Sequence, residues 1–141
     1  MNGDFMNVNQ INSLVLAYLG DAIYEKHIRL FLIKKGINNV NELQKESIKY
    51  VSAKSQAYLL DFLIKKDFLT EEEINVVKRA RNAKVLSHPK RIDILTYKHA
   101  TGLEALIGYL YVTDKQERIN DILAVVIANA DANNRGNVKN Q

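Results

Sequence analysis

The chain contains no cysteine and no tryptophan, one proline and only six glycines among its 141 residues. Without cysteine there is neither a disulfide framework nor a thiolate metal site, so a bound metal has to be held by oxygen or histidine ligands. That favours magnesium-type chemistry. No apolar run approaches the roughly 20 residues that span a bilayer, and Met1 to Asn12 is polar, without the basic-then-apolar layout of a signal peptide. The expectation is a cytoplasmic protein with no membrane attachment. Proline and glycine are sparse, while Leu, Ile, Lys, Glu and Ala recur at three- and four-residue spacing, which predicts an all-α fold. With 47% hydrophobic residues, the length suits one packed domain and leaves little room for a second. That domain is placed at residues 1–130, followed by a flexible polar tail at 131–141.

The periodicity predicts a first long helix from about Ile11 to Lys35, with Leu14, Tyr18, Ala22 and Leu30 among its apolar positions and Gly36 as its stop. Asn41, with Gln44 three residues on, reads as the capped start of a helix towards Val51. Another begins at Ser52 or Ala53 and repeats Ala57, Leu60 and Ile64 before Lys65-Lys66-Asp67. Thr70-Glu71-Glu72-Glu73 is a stronger start: the threonine can cap the Glu73 amide while three acids meet the positive end of the helix dipole. From Asn82 to Thr96 the periodicity lapses around His88-Pro89, which reads as a mobile, functional loop. Helices resume from Tyr97 or Lys98 to about Val112, with Leu103, Leu106, Ile107 and Leu110 as the apolar stripe, and from Lys115 to Ala130. His27, His88 and His99 stand at unrelated spacings and are treated as non-ligands.

The net charge is +4, unevenly distributed. Lys78, Arg79, Arg81, Lys84, Lys90, Arg91 and Lys98 face a single acid, Asp93, in one window, whereas the rest of the chain carries more acidic than basic residues. Such a window suits either a solvated surface or a phosphate backbone that releases counterions on binding.

Two acids interrupt apolar helices. In Tyr18-Leu19-Gly20-Asp21-Ala22, Gly20 costs about 1 kcal/mol against alanine in a helix interior, and a buried, unpartnered carboxylate costs several more. Two disfavoured choices side by side point to a use other than folding, unless Asp21 simply faces water. In Thr101-Gly102-Leu103-Glu104-Ala105-Leu106-Ile107-Gly108, Glu104 is followed four residues on by Gly108, which shares its helix face and leaves room for close approach.

Both segments resemble the ribonuclease III family, whose glycine-aspartate signature and Glu-Ala-Leu-Ile-Gly segment carry metal-binding carboxylates. The resemblance runs from about Asn12 to Ile127. It is nearest the short Mini-ribonuclease III branch, a catalytic domain without the usual double-stranded-RNA-binding domain, through Val51 to Ala57, Lys78 to Lys84 and Ala100 to Glu104 as well. Two family acids are replaced, at Ala17 and Thr101, which leaves more of the coordination to water and RNA phosphate. The resemblance implies a ribonuclease III-like helical bundle and a homodimeric endoribonuclease that cuts double-stranded RNA to 5′-phosphate ends. It implies Mg2+ as cofactor, with Asp21 and Glu104 as catalytic and metal-binding residues, and no small-molecule cofactor. Phosphate contacts would fall to Lys54, Arg79, Arg81, Lys84 and Lys98, and the associated role is maturation of large-subunit (23S) ribosomal RNA precursor, within ribosome biogenesis. The signature helix would lie near the dimer interface, with Leu14, Leu16 and Ile23 serving either interface or core. A catalytically silent RNA-binding helical module, and a helical scaffold or DNA-binding protein, are the alternatives.

Overall fold

The structure, a computed structural model, describes residues 7–85 and 87–139, with side chains as far as Ala130. A 3₁₀ turn at Val8–Gln10 leads into six α-helices and, among the described residues, no strand: α1 Ser13–Lys34, α2 Val40–Val51, α3 Ala53–Lys65, α4 Glu71–Arg81, α5 Ile94–Val112 and α6 Gln116–Lys139. The all-α expectation holds.

Local signals explain most helix ends. Asn12 caps α1 by accepting from the Leu14 amide at 2.7 Å. Thr70 and Glu73 form the reciprocal capping box of α4, at 3.1 and 2.9 Å. Helices α1, α3 and α5 each end on a residue with positive φ, Gly36, Asp67 and Asp114 respectively. In all three, the amide of the following residue reaches back to a carbonyl of the last turn, which satisfies otherwise orphaned acceptors and reverses the chain in few residues.

Three boundaries differ from the sequence reading. The α2 cap is Asn39, which accepts from the Glu42 amide at 3.1 Å, and not Asn41. Helix α5 begins at Ile94 because Asp93 accepts from the Leu95 and Thr96 amides, so the connection is Asn82 to Asp93 and shorter than Asn82 to Thr96. The backbone of α6 continues past Ala130 to Lys139. The asparagines there each cost only a few tenths of a kcal/mol in a helix, and no proline intervenes to stop it. Residues 1–6, 86, 140 and 141, and the side chains of 131–139, lie outside the described residues.

Helix α5 is the axis of the bundle and packs against α1, α3, α4 and α6. Ala100 to Leu103 and Ala105 to Leu110 are all buried, including the expected stripe of Leu103, Leu106, Ile107 and Leu110. Helix α1 buries Leu16, Ala17, Gly20, Tyr24, Ile28 and Leu32. Tyr18, Ala22 and Leu30 lie on its outer side, so α1 is apolar on two faces. Leu16 belongs to the core, and Ile23 packs against it half-buried.

Arg118 of α6 ties down the start of α4. It donates to both Glu73 carboxylate oxygens at 2.8 Å and to the Phe68 carbonyl at 2.7 Å, with its guanidinium 4.7 Å from the Phe68 ring centre. Burial on its own would raise the Glu73 pKa, but the bonds from Arg118 and from the Thr70 cap outweigh it and hold the carboxyl below its ordinary range.

Candidate active site

Why the sequence places glycine in the middle of two apolar helices follows from where those helices meet. A Cβ on Gly20 would lie 1.7 Å from the Glu104 carbonyl oxygen, and one on Gly108 would lie 2.0 Å from the Leu16 carbonyl oxygen. Pairing 20 with 104 and 16 with 108 makes α1 and α5 antiparallel, with backbone against backbone at the crossing. The glycines therefore permit an approach that no other residue allows. Asp21 and Glu104 are set by that crossing, one beside Gly20 and the other one turn before Gly108.

The two carboxyl groups meet. Glu104 feels Asp21 and the Gln56 side chain from α3, and the charge of Glu25, one turn beyond Asp21, also acts on it. Its pKa is pushed up to about 9, first by burial, then by the contact with Asp21 and the Asp21 charge, against the Gln56 hydrogen bond, with Glu25 adding a smaller upward push. Asp21 itself is exposed, so the pair opens to solvent on the α1 side. Tyr24, just below on α1, is buried and donates its hydroxyl to the Tyr50 carbonyl at 2.7 Å. Burial first, then Glu104 and Glu25, push its pKa upward, so it stays neutral.

This arrangement fits a divalent cation. Two crowded carboxyls, one half-buried, are each other's main electrostatic penalty, and a cation between them reverses that sign. The protein supplies only part of a coordination sphere: among the described residues no group of three or more His, Cys, Asp or Glu side chains converges. Ala17 is buried and has no side-chain oxygen, while the Thr101 hydroxyl is turned back to the Tyr97 carbonyl at 2.9 Å. Two of the three histidines are engaged elsewhere. His99 Nδ1 sits 2.7 Å from the Leu95 carbonyl oxygen, and His88 lies against the Tyr97 ring.

The five basic residues are spread over α3, α4, the connection after it and α5. Lys54 is exposed on the first turn of α3, two residues before Gln56. The stem of Arg81 is half-buried against Gly102, its Cγ 3.2 Å from where a Cβ would stand. Lys84 is exposed in the connection, and Lys98 is half-buried on α5. Arg79 stands apart, in a groove with Asn9, Glu72, Asn75, Lys78, Asn82 and Tyr109. Tyr109 there donates to Glu72. The sequence reading missed Gln56 and Glu25. Glu25 was detectable as the acid four residues after Asp21, and Gln56 as the amide sharing a helix face with Leu59, Leu60 and Leu63.

An all-α domain that presents two acids at a glycine-mediated helix crossing suits hydrolysis assisted by a divalent cation. The ribonuclease III domain matches residues 14–115. A Mini-ribonuclease 3 of Brevibacillus brevis is 52% identical over 120 residues, 85% of this chain and 88% of that one. That of Streptococcus pneumoniae is 42% identical over 84% of this chain and 93% of its own. An X-ray crystal structure of a Fusobacterium nucleatum protein superposes with a TM-score of 0.77 at 37% identity, over 84% of this chain and 95% of the other. The chain belongs to the ribonuclease III family, in its Mini-ribonuclease III branch, and is an endoribonuclease of double-stranded RNA. No described helix is long and apolar enough to cross a membrane.

Proposed function

We propose that the chain is a magnesium-dependent, homodimeric, cytoplasmic endoribonuclease that takes part in maturation of the large-subunit (23S) ribosomal RNA precursor. The contact between the Asp21 and Glu104 carboxyls carries this reading. Bound magnesium would neutralise charge on the scissile phosphate and make hydroxide available near neutral pH. Asp21 and Glu104 are the residues that would hold it, with water and RNA phosphate completing the sphere left open at Ala17 and Thr101. Magnesium suits so sparse a set because it keeps several of its waters.

Duplex RNA is recognised through backbone and 2′-hydroxyls across the minor groove. Lys54, Arg81, Lys84 and Lys98, on α3, the end of α4, the connection and α5, would contact phosphates, with Arg79 reaching them from its separate groove. A twofold dimer places two single-strand cuts on the two strands of a duplex. The outward side of α1, where Tyr18 is 84% and Val15 57% exposed, is the surface assigned to the second copy. The catalytic domain is assigned to residues 1–130 and the polar tail to 131–141, the backbone of α6 running on into that tail as far as Lys139.

Incubating the purified protein with a duplex RNA and magnesium tests this. Cleavage to 5′-phosphate ends, reduced on the order of 100-fold or more by Asp21→Asn with melting temperature retained, supports it. Intact RNA with the unmutated protein would instead favour a catalytically silent RNA-binding module, in which Ala17 and Thr101 mark a decayed site.

A further inference from the structure

Among the residues that α1 buries, Tyr24 alone carries a polar side-chain atom. It lies between Gly20 and Ile28 on the core face, wholly out of solvent, where a plain apolar side chain would avoid the cost of burying a hydroxyl. That hydroxyl donates to the Tyr50 carbonyl at 2.7 Å, and the Tyr50 ring packs edge-on with Phe31 at 5.9 Å between ring centres. Tyr50 belongs to the last turn of α2, and Ser52 alone joins α2 to α3. The Ser52 amide donates to the Ile48 carbonyl at 3.2 Å, and its hydroxyl accepts from the Ser55 amide at 3.2 Å. The Tyr24 bond therefore grips a tight corner, and the first exposed residue after Tyr50 on that corner is Lys54.

One helix thus carries both Asp21 and, a turn later, the grip on the corner that presents Lys54. The body of α3 is fixed separately, by Leu59, Leu60 and Leu63 in the core and by Leu60 Cδ2, 3.5 Å from where a Cβ on Gly102 would stand. Its start at Ala53 lies more than a turn before those contacts. Resting on the reading of Lys54 as a phosphate contact, we propose that Tyr24 is a positioning residue: its bond to the Tyr50 carbonyl holds the α2–α3 corner at a set distance from the acids, so that Lys54 meets a backbone phosphate while the scissile one lies at Asp21 and Glu104. Because the acceptor is a main-chain carbonyl, the bond fixes backbone and not merely a side-chain tip. Duplex RNA presents its phosphates at regular spacing, and a lysine on a held corner meets one at a smaller ordering cost than a lysine on a loose one.

Tyr24→Phe, which deletes only the hydroxyl, is compared with Lys54→Ala and with the double variant in the full chain. Binding of duplex RNA is followed without metal over a series of salt concentrations, and kcat and KM with magnesium, all well below each melting temperature. Tyr24→Phe is expected to raise Kd and KM about 3- to 10-fold with kcat within about twofold, and to flatten the dependence of log Kd on log salt by about one for each lysine displaced. Lys54→Ala alone should do the same, and the double variant should be no worse than either single one. Ile28→Val, a core change one turn further along α1, is the control: it lowers the melting temperature and leaves binding and its salt dependence unchanged. Replacing Tyr24 by p-aminophenylalanine keeps a donor in place and should restore wild-type values; should Tyr24→Phe not fold, a raised KM in this chain overturns the role. Wild-type binding and salt dependence in folded Tyr24→Phe, losses that add in the double variant, or equal losses in Ile28→Val also overturn it. If Lys54→Ala itself binds duplex RNA as the wild type does, the phosphate reading of Lys54 fails first and the positioning role fails with it.

Discussion

Gly20 and Gly108 face each other across the α1–α5 crossing so closely that a Cβ on either would enter the opposing backbone, at the Glu104 and Leu16 carbonyls respectively. Backbone cannot swing aside as a side-chain tip can. Gly20→Ala and Gly108→Ala are therefore expected to destabilise by more than about 4 kcal/mol, the range reserved for disrupted cores. Gly102→Ala meets only the side chains of Val77, Arg81 and Leu60, at 3.1 to 3.5 Å, and is expected to change stability by no more than about 1 kcal/mol, because the helix preference of alanine offsets their small displacement. Urea unfolding of the three variants ranks them, and an equal cost for Gly102→Ala and Gly20→Ala would contradict the geometry.

Glu104→Gln is expected to stabilise the metal-free protein while removing metal-dependent activity. The folded pKa of Glu104, about 9, lies above its ordinary value of 4.5. The native state thus binds a proton that the unfolded chain has released, and stability falls as pH rises from about 4.5 through about 9. Glutamine can donate to Asp21 and accept from Gln56 with no charge to desolvate. At pH 8 without metal the variant should gain roughly 1–2 kcal/mol, visible as a melting temperature several degrees higher. A lower melting temperature at pH 8 would rule this out.

Much of this site was legible because the costs are local. A glycine and an acid inside each of two apolar helices are anomalies that a sequence displays, and the Thr70 to Glu73 cap and the Gly36 stop follow from chemistry within a few residues. What could not be read depends on distant partners. Gln56 stands out as an amide on the leucine face of α3, but its role is not readable from neighbours in the chain, and Arg118 looks like any helix cation until it meets Glu73, 45 positions earlier. The first turn of α5 escapes the periodicity because Ile94 and Leu95 are exposed apolar residues that belong to no buried stripe, which leaves the Asp93 cap as the marker of its start.

The Arg118 to Glu73 pair predicts an acid-sensitive element of stability. Glu73 is held below its ordinary value of 4.5, so its contribution is fully present above about pH 4.5 and is lost as pH falls through the lower folded value. Arg118→Met removes the partner and leaves Glu73 buried, at an expected cost of about 3 kcal/mol at pH 7. Because the stranded carboxylate can take a proton, that cost should shrink below pH 4. Melting curves of wild type and variant at pH 7 and pH 3.5 measure both effects, and a pH-independent difference would exclude the pair as its source.

The outer side of α1 predicts the assembly. Val15, Tyr18 and Ala22 follow one another at three- and four-residue spacing, and all three are exposed. An aromatic ring 84% open to water beside a 57% exposed valine is the kind of anchor that interface cores bury. In a twofold dimer each anchor is used twice, so one substitution removes two contacts. Tyr18→Glu sets a carboxylate in that face of both copies and should shift the protein from dimer to monomer by sedimentation, weakening self-association at least about 100-fold. The monomer should remain helical, since Tyr18 lies on the solvent side of α1. It should also nick duplex RNA on one strand more often than it cuts both. A Tyr18→Glu protein that sediments as the wild type does would remove this face from the interface.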